Sequence, residues 1–378
     1  MKTWFIVQHA DKNTKARAGT ILTDHGAIDT PIFMPVGTEG TVKGLTQEHL
    51  VNSVDAQIIL GNTYHLYLRP GTPTLISAGG LHQFINWSKP MLTDSGGYQI
   101  FSLSDIRKIT AEGVIFKSHL DGSKHLFSPE NNITIQREIG ADLFMALDEC
   151  TPYPCDKKYA RKSLKITLGW LDRCWQAYRQ TSPNYDYDQL FIPIIQGSVY
   201  EDLRIESTQE VLSYKTPIVA IGGLSVGEPE DLLYGITQRV CEQIPSQTGR
   251  YLMGVGTPSN LLHCIEAGVD MFDCVLPTRN ARHGLIYTSE GIVHIKNAKW
   301  KNDFSPIDRE SEAEESQKYS KAYLHHLIRG GEMLGATLAS IQNLSFFLQL
   351  MKQARAQILH DNFSWWKNSI LPVISRKL

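Results

Sequence analysis

LFMALDECTP, residues Leu143–Pro152, is the stretch whose reading decides the fold. Five apolar residues run without a break and then give way to an aspartate, a glutamate and a cysteine. An unbroken apolar run of this length reads as a strand buried on both faces, as in a parallel sheet. The polar residues that follow then sit at the strand's C-terminal end. Seven other runs share the form: IFMPV (32–36), QIIL (57–60), MLT (91–93), FIPII (191–195), PIVAI (217–221), YLMGV (251–255) and MFDCVL (271–276). They lead into GTEG, GNTYH, DSGGYQ, QGS, GGLSVGE, GTP and PTRN. Eight buried strands alternating with helical stretches predict an α/β fold, a (β/α)8 TIM-like barrel. In that fold the residues after each strand line one mouth, where the chemistry sits.

The chain has 378 residues, 42% of them hydrophobic, enough for a barrel of about 250 residues with insertions. A formal charge of −2 gives no support for a nucleic-acid partner, so any basic footprint has to be local. HIKNAKWKND, with Lys296, Lys299 and Lys301 beside Trp300, is one such stretch and reads equally as a solvated hairpin. The six cysteines (Cys150, Cys155, Cys174, Cys241, Cys264, Cys274) form no compact pattern. The opening MKTWFIVQHAD turns polar at once, and no apolar stretch approaches the roughly 20 residues of a membrane span. A reduced, cytoplasmic protein with no membrane partner is the expectation.

The chain reads as one domain over 1–378, with a barrel over 1–285 and a C-terminal subdomain over 286–378. An insertion at about 99–128 replaces the helix expected after the third strand. It holds GVIFKSHLDGSKHLFSP, whose alternation and DG turn predict a hairpin. SPENNITIQREIG predicts a helix capped by Ser128 with Pro129 at its first position. Helices are also expected over 156–181, 229–243 and 319–360, a hairpin over IYTSEGIVHIKNAKW, and an acidic linker at SEAEESQ.

Barrel closure would bring Asp94, Asp148 and Asp273 to one mouth. Two carboxylates facing one site suit glycosidic-bond chemistry, one attacking or stabilising an oxocarbenium-like carbon while the other moves protons. A single rim aspartate also reads as the cap of the next helix. The set of three, with Gln196 and the GGL turn, favours a functional site. Gly96, Gly97, Gly222 and Gly223 let backbone approach a ligand, or simply turn the chain. Tyr98 could stack on a planar base, with Met253 as the opposite wall or as a core residue. Asp148 and Gln196 could hydrogen-bond a purine edge.

TDSGGYQIFSL, SHLDGS, ALDECTPYP, QGS, AIGGLSVGE, LMGVGTP and FDCVLPTRNARHG occur in this order, followed by NAKWKND and KYSKAYLHHL. With these motifs the chain resembles the bacterial tRNA-guanine (queuine) transglycosylases from its first strands to about residue 350. The resemblance implies a pentosyltransferase that exchanges the wobble guanine of GUN-anticodon tRNAs for a 7-deazaguanine base. It implies Asp273 as nucleophile on the ribose C1′ and Asp94 as proton acceptor from the incoming base. Base binding would fall to Asp94, Ser95, Gly96, Gly97, Tyr98, Asp148, Gln196, Gly223 and Met253. RNA reading would fall to Gly254, Val255, Gly256, Thr257, Pro258, Ser259 and Asn260, and to Thr278, Arg279, Asn280, Ala281 and Arg282. The base has to be extruded from the loop to be reached, and flanking loop bases are the natural recognition targets.

The family's zinc site is CxCxxC followed by a histidine on a helix. Ser311, Ala313, Ser316 and Gln342, within 308–342, stand at those positions, and none is a zinc ligand. No metal and no other cofactor is therefore expected. His325 and His326 are adjacent and point apart on a helix. Glu310, Glu312, Glu314 and Glu315 suit a solvated loop, with a weak divalent-ion site as an alternative. This subdomain supports dimer contacts in the family, so a homodimer is expected, its stability in question without the metal. His283 replaces the usual asparagine. Val226 and Cys150 match the bacterial pattern, which implies the aminomethyl-deazaguanine precursor, while queuine stays open. Two other readings remain: a non-catalytic tRNA-binding subunit and a nucleoside-acting barrel glycosidase.

Overall fold

The structure is a computed structural model and describes residues 2–103 and 107–378. Its centre is a sheet of nine parallel segments. In chain order the strands are β1 (Ile32–Gly37), β2 (Ile59–Gly61), β3 (Met91–Thr93), β4 (Leu143–Met145), β5 (Leu190–Ile192, resuming at Ile194–Ile195), β6 (Ile218–Ile221), β7 (Gly249–Leu252) and β8 (Met271–Cys274). The two ends of the sheet are the two halves of β5. They flank Pro193, whose missing N–H interrupts the ladder. The first half pairs with β4 and the second with β6, and β8 pairs with β1, so the sheet closes into the expected barrel. Every residue of β1 through β7 is buried, as strands covered on both faces require.

Local chemistry explains the helix starts. Ser128 Oγ accepts from Asn131 N at 3.1 Å and caps the helix Pro129–Ile139. Asp156 caps Lys157–Gln180 in the same way, accepting from Tyr159 N at 2.8 Å. The expected helix over 229–243 spans Glu230–Gln243. The insertion differs from the expectation in two respects. A short helix, Gly97–Leu103, does follow β3. The segment beyond it is a three-stranded antiparallel meander (Arg107–Thr110, Gly113–Lys117, Lys124–Phe127), because GVIFK pairs on both sides. A second antiparallel sheet (Phe5–Ala10, Arg17–Thr23, Gly26–Thr30) leads into the barrel.

The C-terminal segment contains the expected hairpin, Leu285–Thr288 with Gly291–His294. The helical stretch expected over 319–360 is broken by Gly331 in a left-handed turn, giving Lys321–Gly330 and Met333–Leu359. Leu338 through Leu348 of the second helix are buried without exception, the mark of a helix sunk in the core. Asn343 on that helix donates to the carbonyls of Pro277 and Leu285 and accepts from Tyr287 N, tying the hairpin to the barrel's last turn.

Two buried carboxylates fasten the opposite end of the barrel. Asp270, just before β8, takes a two-pronged contact from Arg17, Nε at 2.9 Å and Nη2 at 2.5 Å. Asp142, just before β4, contacts His25 Nδ1 at 2.7 Å and His82 Nε2 at 3.1 Å and accepts from Met91 N at 2.9 Å. Among the described residues, no helix is long and apolar enough to cross a membrane.

Candidate active site

The C-terminal ends of the strands gather the residues singled out in the sequence. Asp94 follows β3, Asp148 lies three residues beyond β4, Gln196 follows β5, Gly222 and Gly223 follow β6, Met253 follows β7, and Asp273 lies within β8. Asp94 and Asp148 are almost wholly buried.

Asp94 is held by its neighbour across the sheet. Its Oδ1 accepts from Thr63 N at 2.8 Å and from Gly96 N at 3.2 Å, and its Oδ2 accepts from Asn62 Nδ2 at 2.5 Å. Its main-chain carbonyl accepts from Thr63 Oγ1 at 2.6 Å and from Gln136 Nε2 at 2.7 Å. Burial, aided by the charge of Asp273, outweighs these donors and lifts its carboxyl to about 6. A carboxylate poised there exchanges protons near neutral pH.

Asp273 is supported on one oxygen. Tyr251 Oη donates to Oδ1 at 2.6 Å and Gly254 N at 2.9 Å. Among the described residues no hydrogen bond reaches Oδ2. Burial pushes this carboxyl up, with the Tyr251 and Gly254 bonds opposing. The Tyr251 hydroxyl, itself buried beside Asp273, is raised well above the usual phenol range and stays a donor.

Asp148 and Gln196 form one unit. Gln196 Nε2 donates to Asp148 Oδ2 at 2.7 Å, and Ser95 Oγ donates to Oδ1 at 2.7 Å. Burial raises the Asp148 carboxyl against both donors. Gln196 Oε1 is buried and, among the described residues, has no hydrogen-bond partner, an acceptor held in reserve. Two glycines make this packing possible. A Cβ at Gly97 would lie 2.5 Å from the Asp148 carbonyl, so the close approach of the turns after β3 and β4 at that point needs glycine. Gly223 has φ +65°, and a Cβ on it would overlap Gln196 Oε1.

Tyr98 stands on the helix Gly97–Leu103 with 52% of its surface exposed, and Met253 is half-buried against the core. In the turn after β7, Val255, Gly256, Pro258 and Asn260 are buried, while Gly254, Thr257 and Ser259 reach the surface. Thr257 caps the helix Pro258–Glu266, and Asn260 accepts from Tyr234 Oη at 2.7 Å. Along Leu276–His283, Arg279 is exposed, Thr278 and Ala281 are buried, and Asn280 donates to Tyr287 Oη at 3.0 Å. Arg282 is half-buried, and its buried Nη1 has no partner among the described residues. His283 Nδ1 contacts the Arg279 carbonyl at 2.7 Å. In the GGLSVGE turn, Glu228 accepts from Ser225 N and from Val226 N. Val226 is half-buried and Cys150 is buried, burial pushing its thiol up to about 12.

Asn62, Thr63, Gln136, Tyr251 and Arg204 also build the site and were not assigned from sequence. Their signal was faint: a tyrosine inside an apolar run, and polar residues on helix faces that otherwise bury.

The residues expected at the family's zinc positions do not fit that metal. Ser311, Ala313, Ser316 and Gln342 offer two hydroxyls, a methyl and a carboxamide, where zinc takes thiolate, imidazole or carboxylate. All four are buried. Gln342 Nε2 donates to the Tyr287 carbonyl at 2.8 Å and to Asp308 Oδ2 at 3.1 Å. Asp308 also accepts from Ser289 N and Oγ and from Glu310 N. Glu310 and Glu312 are exposed, as expected of a solvated loop, whereas Glu314 is exposed on a short helix, Glu314–Lys318, where a loop was expected. Glu315 instead accepts from Ser53 Oγ at 2.6 Å and is half-buried. His325 contacts the Ile295 carbonyl while His326 is exposed.

Comparison with known proteins agrees with this geometry. The sequence model of the family described as queuine tRNA-ribosyltransferase matches residues 11–375. The chain is 49% identical over 377 residues to a queuine tRNA-ribosyltransferase of Aquifex aeolicus, covering 97% of this chain and 98% of that protein. It is 49% identical over 371 residues to one of Halothermothrix orenii, with 98% of each chain covered. It is 50% identical over 357 residues to one of Ruminiclostridium cellulolyticum, with 94% of each covered.

Proposed function

The chain belongs to the queuine tRNA-ribosyltransferase family, a family of pentosyltransferases, and from that premise we propose a specific activity and mechanism for it. The protein exchanges the wobble guanine of GUN-anticodon tRNAs (Asp, Asn, His, Tyr) for a 7-deazaguanine base. It does so by double displacement. Asp273 bonds to C1′ of the ribose, the glycosidic C–N bond breaks, and guanine leaves with the electron pair and takes a proton from solvent water. Asp94 then takes the ring N–H proton of the incoming base, whose nitrogen attacks C1′ and displaces Asp273 as a free carboxylate. Asp148, Gln196 and Gly223 hold the base edge, and Tyr98 and Met253 face its planes. Arg279 and Arg282 contact the RNA, Arg279 from its exposed position.

The observation that carries this reading is the difference between the two acids. Asp94 sits near 6 and is ready to move protons. Asp273 has two donors on one oxygen and, among the described residues, none on the other. A non-catalytic subunit has no need of that asymmetry, and a nucleosidase has no need of the arginines on Leu276–His283. The protein works in the cytoplasm as a homodimer and without zinc, since the four residues at the family's metal positions supply no ligand. Base exchange with unmodified GUN-anticodon tRNA and chelator-treated protein tests the proposal, offering the aminomethyl precursor and queuine separately. Incorporation of either supports the activity and the dispensability of zinc. Binding of tRNA with no exchange refutes it.

A further inference from the structure

Arg204 is a buried charge beside the mouth that the mechanism above does not use. It lies on the helix Glu201–Ser213 and is 1% exposed. Its Nε donates to the Ser198 carbonyl at 2.7 Å. Nη1 donates to the carbonyls of Ile195 at 3.0 Å and Gly222 at 2.8 Å, and Nη2 to that of Gly223 at 3.2 Å. All four acceptors are main-chain carbonyls. Burial brings the guanidinium down to about 10, with the neighbouring Cys150 and Glu228 opposing, so it remains a cation at neutral pH.

We infer that Arg204 is the positioning residue for base recognition, fastening the turn after β5 to the turn after β6 so that Gln196 and Gly223 meet one base edge together. The inference rests on the reading of Gln196 and Gly223 as base-binding residues. Three features of the geometry support it. The four carbonyls divide between the two turns, Ile195 and Ser198 on one side and Gly222 and Gly223 on the other. Gln196 lies between the first pair, and its unpartnered Oε1 abuts Gly223. The first turn is also conformationally costly, with Ser198 at φ +52° next to Gly197 at φ +138°. A planar fork with five donors can hold both turns at one spacing. A lysine, with a single nitrogen at the end of a flexible stem, cannot. With the fork removed the two turns separate and the base loses contacts from both.

The test measures KM for the deazaguanine base and KM for tRNA in wild type, Arg204→Lys, Arg204→Ala and Gln196→Ala. Arg204→Lys is expected to raise KM for the base about tenfold or more while KM for tRNA stays within about twofold. Added guanidinium is expected to recover part of the base affinity of Arg204→Ala. A wild-type base KM in folded Arg204→Lys overturns the inference. So does an equal rise in both KM values. Loss of near-UV circular dichroism in both Arg204 variants also overturns it, because Arg204 would then serve the fold alone. A wild-type base KM in Gln196→Ala refutes the underlying assignment of the base site, whatever Arg204 does.

Discussion

Asn62→Ala offers the sharpest test of how the proton acceptor is tuned. The substitution deletes the 2.5 Å donor to Asp94 Oδ2 and leaves the Thr63 and Gly96 donors on Oδ1. That bond stabilises the charged form, so its loss favours the protonated acid. A hydrogen bond to a charged group contributes about 1.5–3 kcal/mol, and 1.36 kcal/mol corresponds to one pKa unit, so the shift is roughly one to two units upward. Starting from about 6, the carboxyl of the variant would titrate between about 7 and 8. Asp94 acts as a base, so activity rises with pH and its acid limb follows this value. At pH 7 the wild-type carboxylate is about nine-tenths ionised and the variant's about half to one-tenth, a rate loss of about two- to tenfold. At pH 9 the loss should nearly vanish. The assay is kcat/KM for the incoming base from pH 5 to 9, which in a double displacement reports the enzyme form that the base meets, the tRNA adduct. A limb that stays near pH 6, or an equal loss at pH 7 and pH 9, would refute the reasoning.

Three other expectations follow from the same geometry. Asp273→Asn should abolish the covalent tRNA adduct on a denaturing gel while tRNA still binds in a filter assay; a persisting adduct would move the nucleophile to Asp94. Gly97→Ala forces a methyl against the Asp148 carbonyl, so it should cost about 1–3 kcal/mol in urea unfolding and weaken base binding; unchanged stability would show that the two turns can part freely. Burial raises the Asp142 carboxyl, yet His25 and His82 together bring it down to about 2 from 3.8. A folded value below the unfolded one gives stability that is present above pH 4 and lost as pH falls towards 2, worth about 2 kcal/mol by linkage. Asp142→Asn should flatten that part of the stability curve, and an unaltered acid transition would exclude this staple as its source.

The strands were legible because burial on both faces writes itself as uninterrupted apolar runs, and Leu143–Leu147 or Ile218–Ile221 could hardly be anything else. The helix at Ser128 was legible for a local reason, since its cap and its proline are adjacent in sequence. The insertion was less so. A hairpin and a three-stranded meander share the same alternation, and only the pairing of Gly113–Lys117 with both neighbours separates them. Gly331 was missed because a single left-handed residue leaves the apolar pattern on either side intact. At the site, the aspartates stood out by interrupting apolar runs. Their supports did not, because Asn62, Gln136 and Arg204 reach Asp94 or the base turns through contacts that no spacing encodes. Ser311, Ala313, Ser316 and Gln342, expected at the family's zinc positions from motif order, are buried, with Gln342 bonded to Asp308.

The pairing of β8 with β1 joins Met271 to Ile32, residues near opposite ends of the barrel sequence. Asp94 and Asp148 belong to the half that is made first in chain order, and Asp273 arrives on the last strand. Long-range pairing of this kind is slow, because the loop entropy is lost before the contacts are gained. A barrel lacking only its last strand would thus carry the groups proposed for gripping a base but no atom to bond to the ribose. Trapping of a tRNA adduct during refolding would therefore time the closing of the barrel itself, with the chemistry serving as a clock for the last strand.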